Sequence, residues 1–212
     1  MNDPVIDHFH NTAISFDSIY SGKKSPIGRY LDRLLRWDMI ERLKKTIEVV
    51  QSFKDPSIID IGAGSGRFFQ PMLQAGARKI TAVEPAENMV KVAIQLIKEQ
   101  KLMDVEIIPD SWLNSEISEV HDVVIAIGFF DYIENCIPSL KKAHSFTKKA
   151  FVASFPKSGT IRSRIRKARL DMKSCPTYYY SKSQVIQLVK DAGFKKWEIS
   201  SFGQLFFVVG NP

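Results

Sequence analysis

Three glycines and two acids, set close to two apolar stretches, are the part of this chain best suited to chemistry. Ser57-Ile-Ile-Asp60 runs as an apolar strand into Ile61-Gly62-Ala63-Gly64-Ser65-Gly66, and Arg67-Phe68-Phe69 opens a helical pattern. Glycines at such a turn let the backbone reverse sharply and bring a ligand close to the helix N-terminus. A second strand, Lys79-Ile-Thr-Ala-Val83, ends on Glu84, eighteen residues after Gly66, where a carboxylate is placed to take a ribose diol. The spacing separates cofactors. A dinucleotide site wants G-x-G-x-x-G, but position 67 is arginine and the third glycine comes one residue early. A phosphate-binding P-loop is excluded, because no Gly-Lys-Ser/Thr follows the turn. Alone, a glycine triplet marks any strand-to-helix turn; joined to Asp60 and Glu84, it marks a cofactor site.

The run Ile59-Asp-Ile-Gly-Ala-Gly-Ser-Gly66, with Val83-Glu84-Pro85, resembles the class I S-adenosylmethionine-dependent methyltransferases. The likeness extends from about Tyr20 to the C-terminus. It implies a Rossmann-like α/β fold with a seven-stranded, mostly parallel sheet, an antiparallel last strand and helices on both faces. It also implies S-adenosyl-L-methionine as cofactor. On that resemblance Gly62, Ala63 and Gly64 approach the methionine part, and Glu84, followed by Pro85, takes both ribose hydroxyls. Asp110, beside Ser111, accepts from the adenine amine, and Met89 and Trp112 flank the ring. Arg36, in the helix before the first strand, pairs with the cofactor carboxylate, and Tyr20 lies as a lid over the site. Each has a plainer reading: Met89 as core, Trp112 as a cap on the sheet, Arg36 and Tyr20 as surface. Glu84 and Asp110 resist one, since acids directly after apolar strands are poor core residues.

Methyl transfer asks little of a protein, because the methyl group arrives activated and rate comes mainly from alignment. A base matters only if the acceptor must lose a proton. In open parallel sheets ligands bind beyond the carboxyl ends of the strands, a rule that gathers the glycine loop, Glu84, Asp110 to Trp112 and Ile127 to Tyr132 along one edge. The family places its acceptor after the fourth strand, where Phe129, Phe130, Asp131 and Tyr132 stand. Asp131 or Tyr132 could position an acceptor, as could His10 if the N-terminal segment folds over. No His–acid pair is visible and the histidines lack metal-ligand spacing.

The elements that position these residues follow from periodicity. Ile27, Leu31, Leu34, Leu35, Met39, Leu43, Ile47 and Val50 recur at helical spacing. Strands are expected at 57–62, 79–84, 105–108, 121–128 and 150–155, with helices from Arg67 to Gln74, from Pro85 through Ile97 and over roughly 138–148. The near-continuous apolar run His121-Asp-Val-Val-Ile-Ala-Ile-Gly128 suits a buried parallel strand. Alternating strands and helices predict a parallel sheet with right-handed crossovers. Ser181-x-x-Gln184 is a capping box for a helix ending near Gly193. Residues 197–201 and 204–209 make a closing hairpin around Phe202-Gly203. The chain reads as one methyltransferase domain: an N-terminal lid and helix (1–52), a cofactor-binding core (57–156), a basic insert (157–180) and a C-terminal helix and hairpin (181–212).

The insert is the most individual feature. Ile161, Ile165, Ala168 and Met172 share one helical face, and Arg162, Arg166, Arg169 and Lys173 share the neighbouring one, with Arg164 and Lys167 beside them. From Lys157 through Lys173, both included, there are seven basic residues and one acid, Asp171. A solvated basic face over a stripe packed on the domain is one reading. The other is a lid in which Arg162 and Arg166 recruit an anionic acceptor, or a helix lying on anionic lipid. Tyr179, within Tyr178-Tyr-Tyr180, is placed to line the acceptor pocket. Phe129 to Ile133, Phe151 to Pro156, the basic insert and Tyr179-Tyr-Ser181 are together similar in texture to magnesium-protoporphyrin O-methyltransferases.

Composition agrees with a globular enzyme: 212 residues, 44% hydrophobic and 25% charged, with no apolar run able to span a bilayer. The N-terminus lacks a signal-peptide pattern, and Cys136 and Cys175 suit two unrelated thiols in a reducing cytoplasm. A net charge of +7 favours acidic partners. The leading expectation is O-methylation of a small, acidic acceptor. A nucleic-acid methyltransferase is disfavoured, because Gly128-Phe-Phe-Asp131 stands where Asn/Asp-Pro-Pro-Tyr would be needed and no RNA-binding module is attached. A non-catalytic cofactor-binding scaffold is the third reading, and the intact Asp60, Gly62, Gly64, Gly66 and Glu84 argue against it.

Overall fold

The computed structural model describes residues 4–10 and 37–212. Residues 4–10 are helical; the expectations for Tyr20 and Arg36, and for the first part of the helix from Ile27, lie outside the described residues. The remaining helices are α1 (Trp37–Gln51), α2 (Phe69–Gln74), α3 (Glu87–Gln100), α4 (Cys136–Phe146), α5 (Ile161–Asp171) and α6 (Lys182–Asp191). The strands are β1 (Ser57–Ile61), β2 (Lys79–Val83), β3 (Val105–Ile108), β4 (His121–Ala126), β5 (Thr147–Pro156), β6 (Lys196–Phe202) and β7 (Leu205–Asn211).

They form one seven-stranded sheet in the order β3-β2-β1-β4-β5-β7-β6. The pairs from β3 to β5 are parallel, and β7 inserts antiparallel between β5 and β6. Strand order reverses between β1 and β4, and at that switch point the loops leaving the two strands diverge to opposite faces and open a crevice. Alternation along the strands divides the core in two. Ile58, Ile80, Val123, Ile125 and Val152 face Val50, Phe69 and Ala93 of α1 to α3. Ile59, Ile61, Val124, Ala126 and Phe151 face Leu140, Ala143, Val185 and Val189 of α4 and α6. β1 and β4 are buried along their whole length, which is why they read as apolar runs rather than as alternating patterns.

Several boundaries differ from the sequence expectation for local reasons. β4 stops at Ala126 because Gly128 turns to φ +76° and donates its N–H to Ser154 Oγ at 2.8 Å. α4 begins early, with the Asn135 side chain accepting from the Ile137 N–H, and Thr147 Oγ1 folds back to donate to the Ala143 carbonyl at 2.7 Å where it ends. β5 therefore starts at Thr147. The Ser181–Gln184 capping box forms as expected.

The excursion between β5 and α6 is tied at its base. Lys157 bridges Tyr180, the Tyr180 N–H donates to the Pro156 carbonyl at 2.9 Å, and the Tyr180 hydroxyl reaches the carbonyls of Phe130 and Ile133 at 3.1 Å. Within it α5 is opened by a capping box, Thr160 with Ser163, and Thr160 Oγ1 also donates to Gln204 Oε1 in the tip of the hairpin.

Candidate active site

The glycine loop is held between two strands. Gly62 and Ala63 donate to the Val83 carbonyl at 2.9 and 3.2 Å, so the loop folds against the end of β2. Glu84 completes the link: its carboxylate accepts from Gly64 N–H and from Ala86 N–H, both at 2.9 Å. Gly64 sits at φ +56° with nothing within 4 Å of where a Cβ would point, so its open side is available to a ligand. Gly66, at φ +78°, is different: a Cβ there would lie 2.5 Å from the buried Phe69 ring. One glycine makes room for a ligand and the other for the core.

Beneath the loop lie two buried acids. Burial and the neighbouring Glu84 raise the Asp60 carboxyl to about 7. Burial raises Glu84 as well, against the two backbone N–H bonds that favour its charge. Two carboxylates sharing a low-dielectric site are relieved by a positive ligand. Asp110 and Ser111 stand half-buried beyond β3, with the Ser111 N–H on Asp110 Oδ1 at 2.6 Å. Pro85 and Ile127 are half-buried at the same strand ends.

Arg42 was not picked out by sequence reasoning. Its guanidinium comes up from α1 to within 3.3 Å of where a Gly128 Cβ would be, and its buried Nε has no hydrogen-bond partner. Arg36 drew attention by its place in the motif order, whereas Arg42 is fixed by how far along α1 the helix meets the sheet edge. An unpaired guanidinium nitrogen, an open glycine cradle and two acids wanting a cation suit a ligand carrying both a carboxylate and positive charge. S-adenosylmethionine is such a ligand. Gly62, Ala63, Gly64, Glu84, Asp110 and Arg42 are the residues that would hold it, and it would supply the activated methyl group.

A compact polar cluster follows β4, where the sequence resemblance leads one to expect the acceptor. Arg166, inside the insert, donates from Nη2 to Asp131 Oδ2 at 2.7 Å and to the Tyr132 hydroxyl at 3.1 Å. Its guanidinium also lies 5.8 and 5.9 Å from the ring centroids of Tyr132 and Tyr179. Burial works against its charge, but Asp131 and the phenols more than offset it, and Arg166 stays protonated. Burial pushes the Tyr132 phenol up to about 12. The Tyr179 hydroxyl is buried with no hydrogen-bond partner.

Residues 4–10 cross this edge. Ile6 and Phe9 pack on Ala86 and Met89, Asn88 Nδ2 donates to the His10 carbonyl at 2.8 Å, and Phe9 meets the Tyr132 ring edge-on at 5.0 Å. His10 is thus fixed at the start of α3. The histidine facing the insert is His8, held below its ordinary pKa by burial and then by Lys173.

Three expectations need correction. Phe130 cannot line an acceptor pocket: it is fully buried and stacked on Phe155 at 4.7 Å, while Phe129 is the ring against the glycine loop. Arg162 is exposed, whereas Arg166, one turn further along the same basic face, is partly buried against Asp131. The apolar stripe does not pack on the domain, since Ile161, Ile165, Ala168 and Met172 are all exposed and Ser163, Arg166 and Leu170 turn inward. Trp112 takes the sheet-capping position that the sequence left open. It is buried, its indole N–H donates to the Ser139 carbonyl at 3.0 Å, and Lys142 Nζ lies 4.7 Å from its ring centroid. Met89 is buried beneath residues 4–10.

Two other polar features belong elsewhere. Asp122, at the opposite end of the sheet, is held near 2: burial opposes its charge, but Ser57 and Lys149 more than offset that. A surface groove between α1 and the hairpin, lined by Lys45, Glu48, Ser52, Glu198 and Ser200, contains none of the expected site residues. Among the described residues no cluster suited to a metal ion comes together.

Fold and site together define a class I S-adenosylmethionine-dependent methyltransferase. A sequence model of the methyltransferase domain matches residues 28–199, and the chain belongs to that family. Magnesium protoporphyrin IX methyltransferase from Synechocystis PCC 6803, solved with bound S-adenosylhomocysteine and with bound S-adenosylmethionine, is similar in fold. With the former the TM-score is 0.78 at 16% identity, covering 98% of this chain and 97% of that one. A methyltransferase from Aquifex aeolicus gives a TM-score of 0.67 at 17% identity, over 99% and 98% of the two chains. Among curated proteins, histone-arginine methyltransferase CARMER from Drosophila willistoni is 34% identical over 99 residues, which is 45% of this chain and 18% of that protein.

Proposed function

We propose that the protein transfers a methyl group from S-adenosylmethionine to an oxygen of a small, anionic acceptor, with a carboxylate as the favoured group. One observation carries this: the polar groups beside the acceptor position are tied to one another and offer no base. Asp131 is occupied by its ion pair with Arg166 at 2.7 Å, and the Tyr132 phenol, raised to about 12, stays protonated at neutral pH. A carboxylate oxygen needs no base. It forms the new C–O bond with its own electron pair while the C–S bond breaks and its electrons remain on sulfur.

Arg166 has further N–H donors besides those of the nitrogen holding Asp131 and Tyr132, and the unpartnered Tyr179 hydroxyl lies alongside. Both suit an anion. Residues 4–10 spanning from α3 to Tyr132 favour a small acceptor over a polymer, which would have to thread beneath them. The magnesium protoporphyrin IX methyltransferase likeness supports a small molecule and the CARMER likeness a protein, but the latter spans 18% of its relative. Two buried cysteines, Cys136 and Cys175, that form no disulfide support placing the protein in a reducing compartment such as the cytoplasm.

The test is transfer of labelled methyl to a panel of small carboxylic acids, phenols, histone peptides and oligonucleotides. Label on carboxylic acids, released by mild base as an ester should be, with a rate flat across neutral pH, is the expected result. Label confined to peptide or nucleic acid would overturn the reading. A phenol acceptor, with a rate lost in His8→Gln, would replace the carboxylate and make His8 the base.

A further inference from the structure

We propose that the outer face of α5 docks on the surface of an anionic lipid bilayer. Ile161, Ile165 and Met172 are 76, 64 and 82% exposed, and Ala168 lies between them on the same face. They stand opposite Ser163 and Leu170, which are the residues that face the domain. An apolar stripe three turns long, turned away from its own domain, has nothing within the described chain to cover it.

Charge says what does. Arg162, Arg169 and Lys173 line one border of the stripe and Arg164 the other, all exposed, and the helix's single acid, Asp171, is paired with Lys167 at 3.1 Å. This is the pattern of an interfacial helix: apolar side chains enter the acyl boundary while the flanking basic groups meet anionic headgroups. A second copy of this chain would bring the same basic borders together, at a net charge of +7, and is disfavoured. Crossing the bilayer is not implied, since no helix among the described residues is long and apolar enough.

The helix is also prebuilt for the task. Its N-terminus is capped by Thr160 and tied to Gln204, its middle is anchored inward by the Arg166–Asp131 pair, and the chain after it returns through the Tyr178 N–H on the Asp131 carbonyl at 2.8 Å. Docking therefore requires no folding of a disordered segment, and it brings the acceptor side of the sheet edge towards the lipid. The proposal does not depend on which acceptor is methylated.

Sedimentation with vesicles tests it without turnover. The full chain should co-sediment with vesicles of equal parts phosphatidylcholine and phosphatidylserine, far less with phosphatidylcholine alone, and less as salt rises. Ile165→Asn with Met172→Asn should lower the partition coefficient by about tenfold or more. Arg164→Gln with Arg169→Gln should lower it by roughly fivefold per charge. The apolar variant should keep the wild-type melting temperature and affinity for S-adenosylhomocysteine, because both side chains are exposed. Equal binding to the two vesicle types, or unchanged binding in the apolar variant, would overturn the proposal. So would light scattering that shows a dimer of the wild type converted to monomer by the apolar variant.

Discussion

Arg166→Gln is the most informative single change, because one guanidinium joins stability to acceptor recognition. Its partner Asp131 is 12% exposed in its side chain and Arg166 itself 31%. Breaking a fully buried pair costs about 3–5 kcal/mol, because the surviving charge is stranded. An exposed pair is worth about 0–1 kcal/mol. This one lies between, and with the Tyr132 contact also lost we expect about 2 kcal/mol. For a domain of this size that lowers Tm by roughly 4–8 °C. Asp131→Asn should cost about as much, since it leaves the guanidinium without its carboxylate. The double variant should be better than the sum by at least about 1 kcal/mol, because neither charge is then stranded. Thermal melts and urea titrations of the four proteins close this cycle. In the same proteins the affinity for S-adenosylhomocysteine should hold while the acceptor KM of Arg166→Gln rises by about tenfold or more, the worth of one charged hydrogen bond. Additive destabilisation with an unchanged KM would refute the reasoning and make Arg166 a half-buried surface residue.

Three further outcomes are expected. Gly66→Ala should destabilise the fold by about 3 kcal/mol through a strained backbone and a clash with Phe69, whereas Gly64→Ala should cost about 1 kcal/mol and act chiefly on cofactor affinity; calorimetry with S-adenosylhomocysteine beside thermal melts separates the two. Glu84→Ala should weaken cofactor binding by one or two charge-assisted hydrogen bonds, about 1.5–3 kcal/mol each, and unchanged affinity would sink its ribose role. Asp60 titrates near 7 in the fold against 3.8 as the reference, so the native state holds its proton more tightly. Its contribution is therefore fully present below 3.8 and is lost as pH rises to about 7. Asp60→Asn should remove a decline of about 2–3 kcal/mol between about pH 5 and 8, leaving a slope of the same sign from Glu84. Urea midpoints across that range check it, and an undiminished slope would assign the effect elsewhere.

Much of the architecture was legible in the chain because it is written in local periods. The uninterrupted apolar runs of β1 and β4, the Gly62–Gly66 turn, the acid closing β2 and the Ser181–Gln184 capping box each occupy neighbouring residues, and each formed in its expected place, β1 one residue and β4 two residues shorter at the C-terminal end. What no local period carries is which side of an element meets the rest of the molecule. Arg166 and Ile165 are adjacent in the chain and α5 is helical whichever way it faces. Its rotation was decided by Asp131 and Tyr132, more than thirty residues away, and by the hairpin tip that holds Thr160. The same holds for Phe130 against Phe129 and for Arg42 reaching Gly128. Their type was visible, but burial or reach depends on strands and loops that meet only when the sheet closes. A helical period states that two faces differ; the free energy of packing each against distant partners decides which one turns inward.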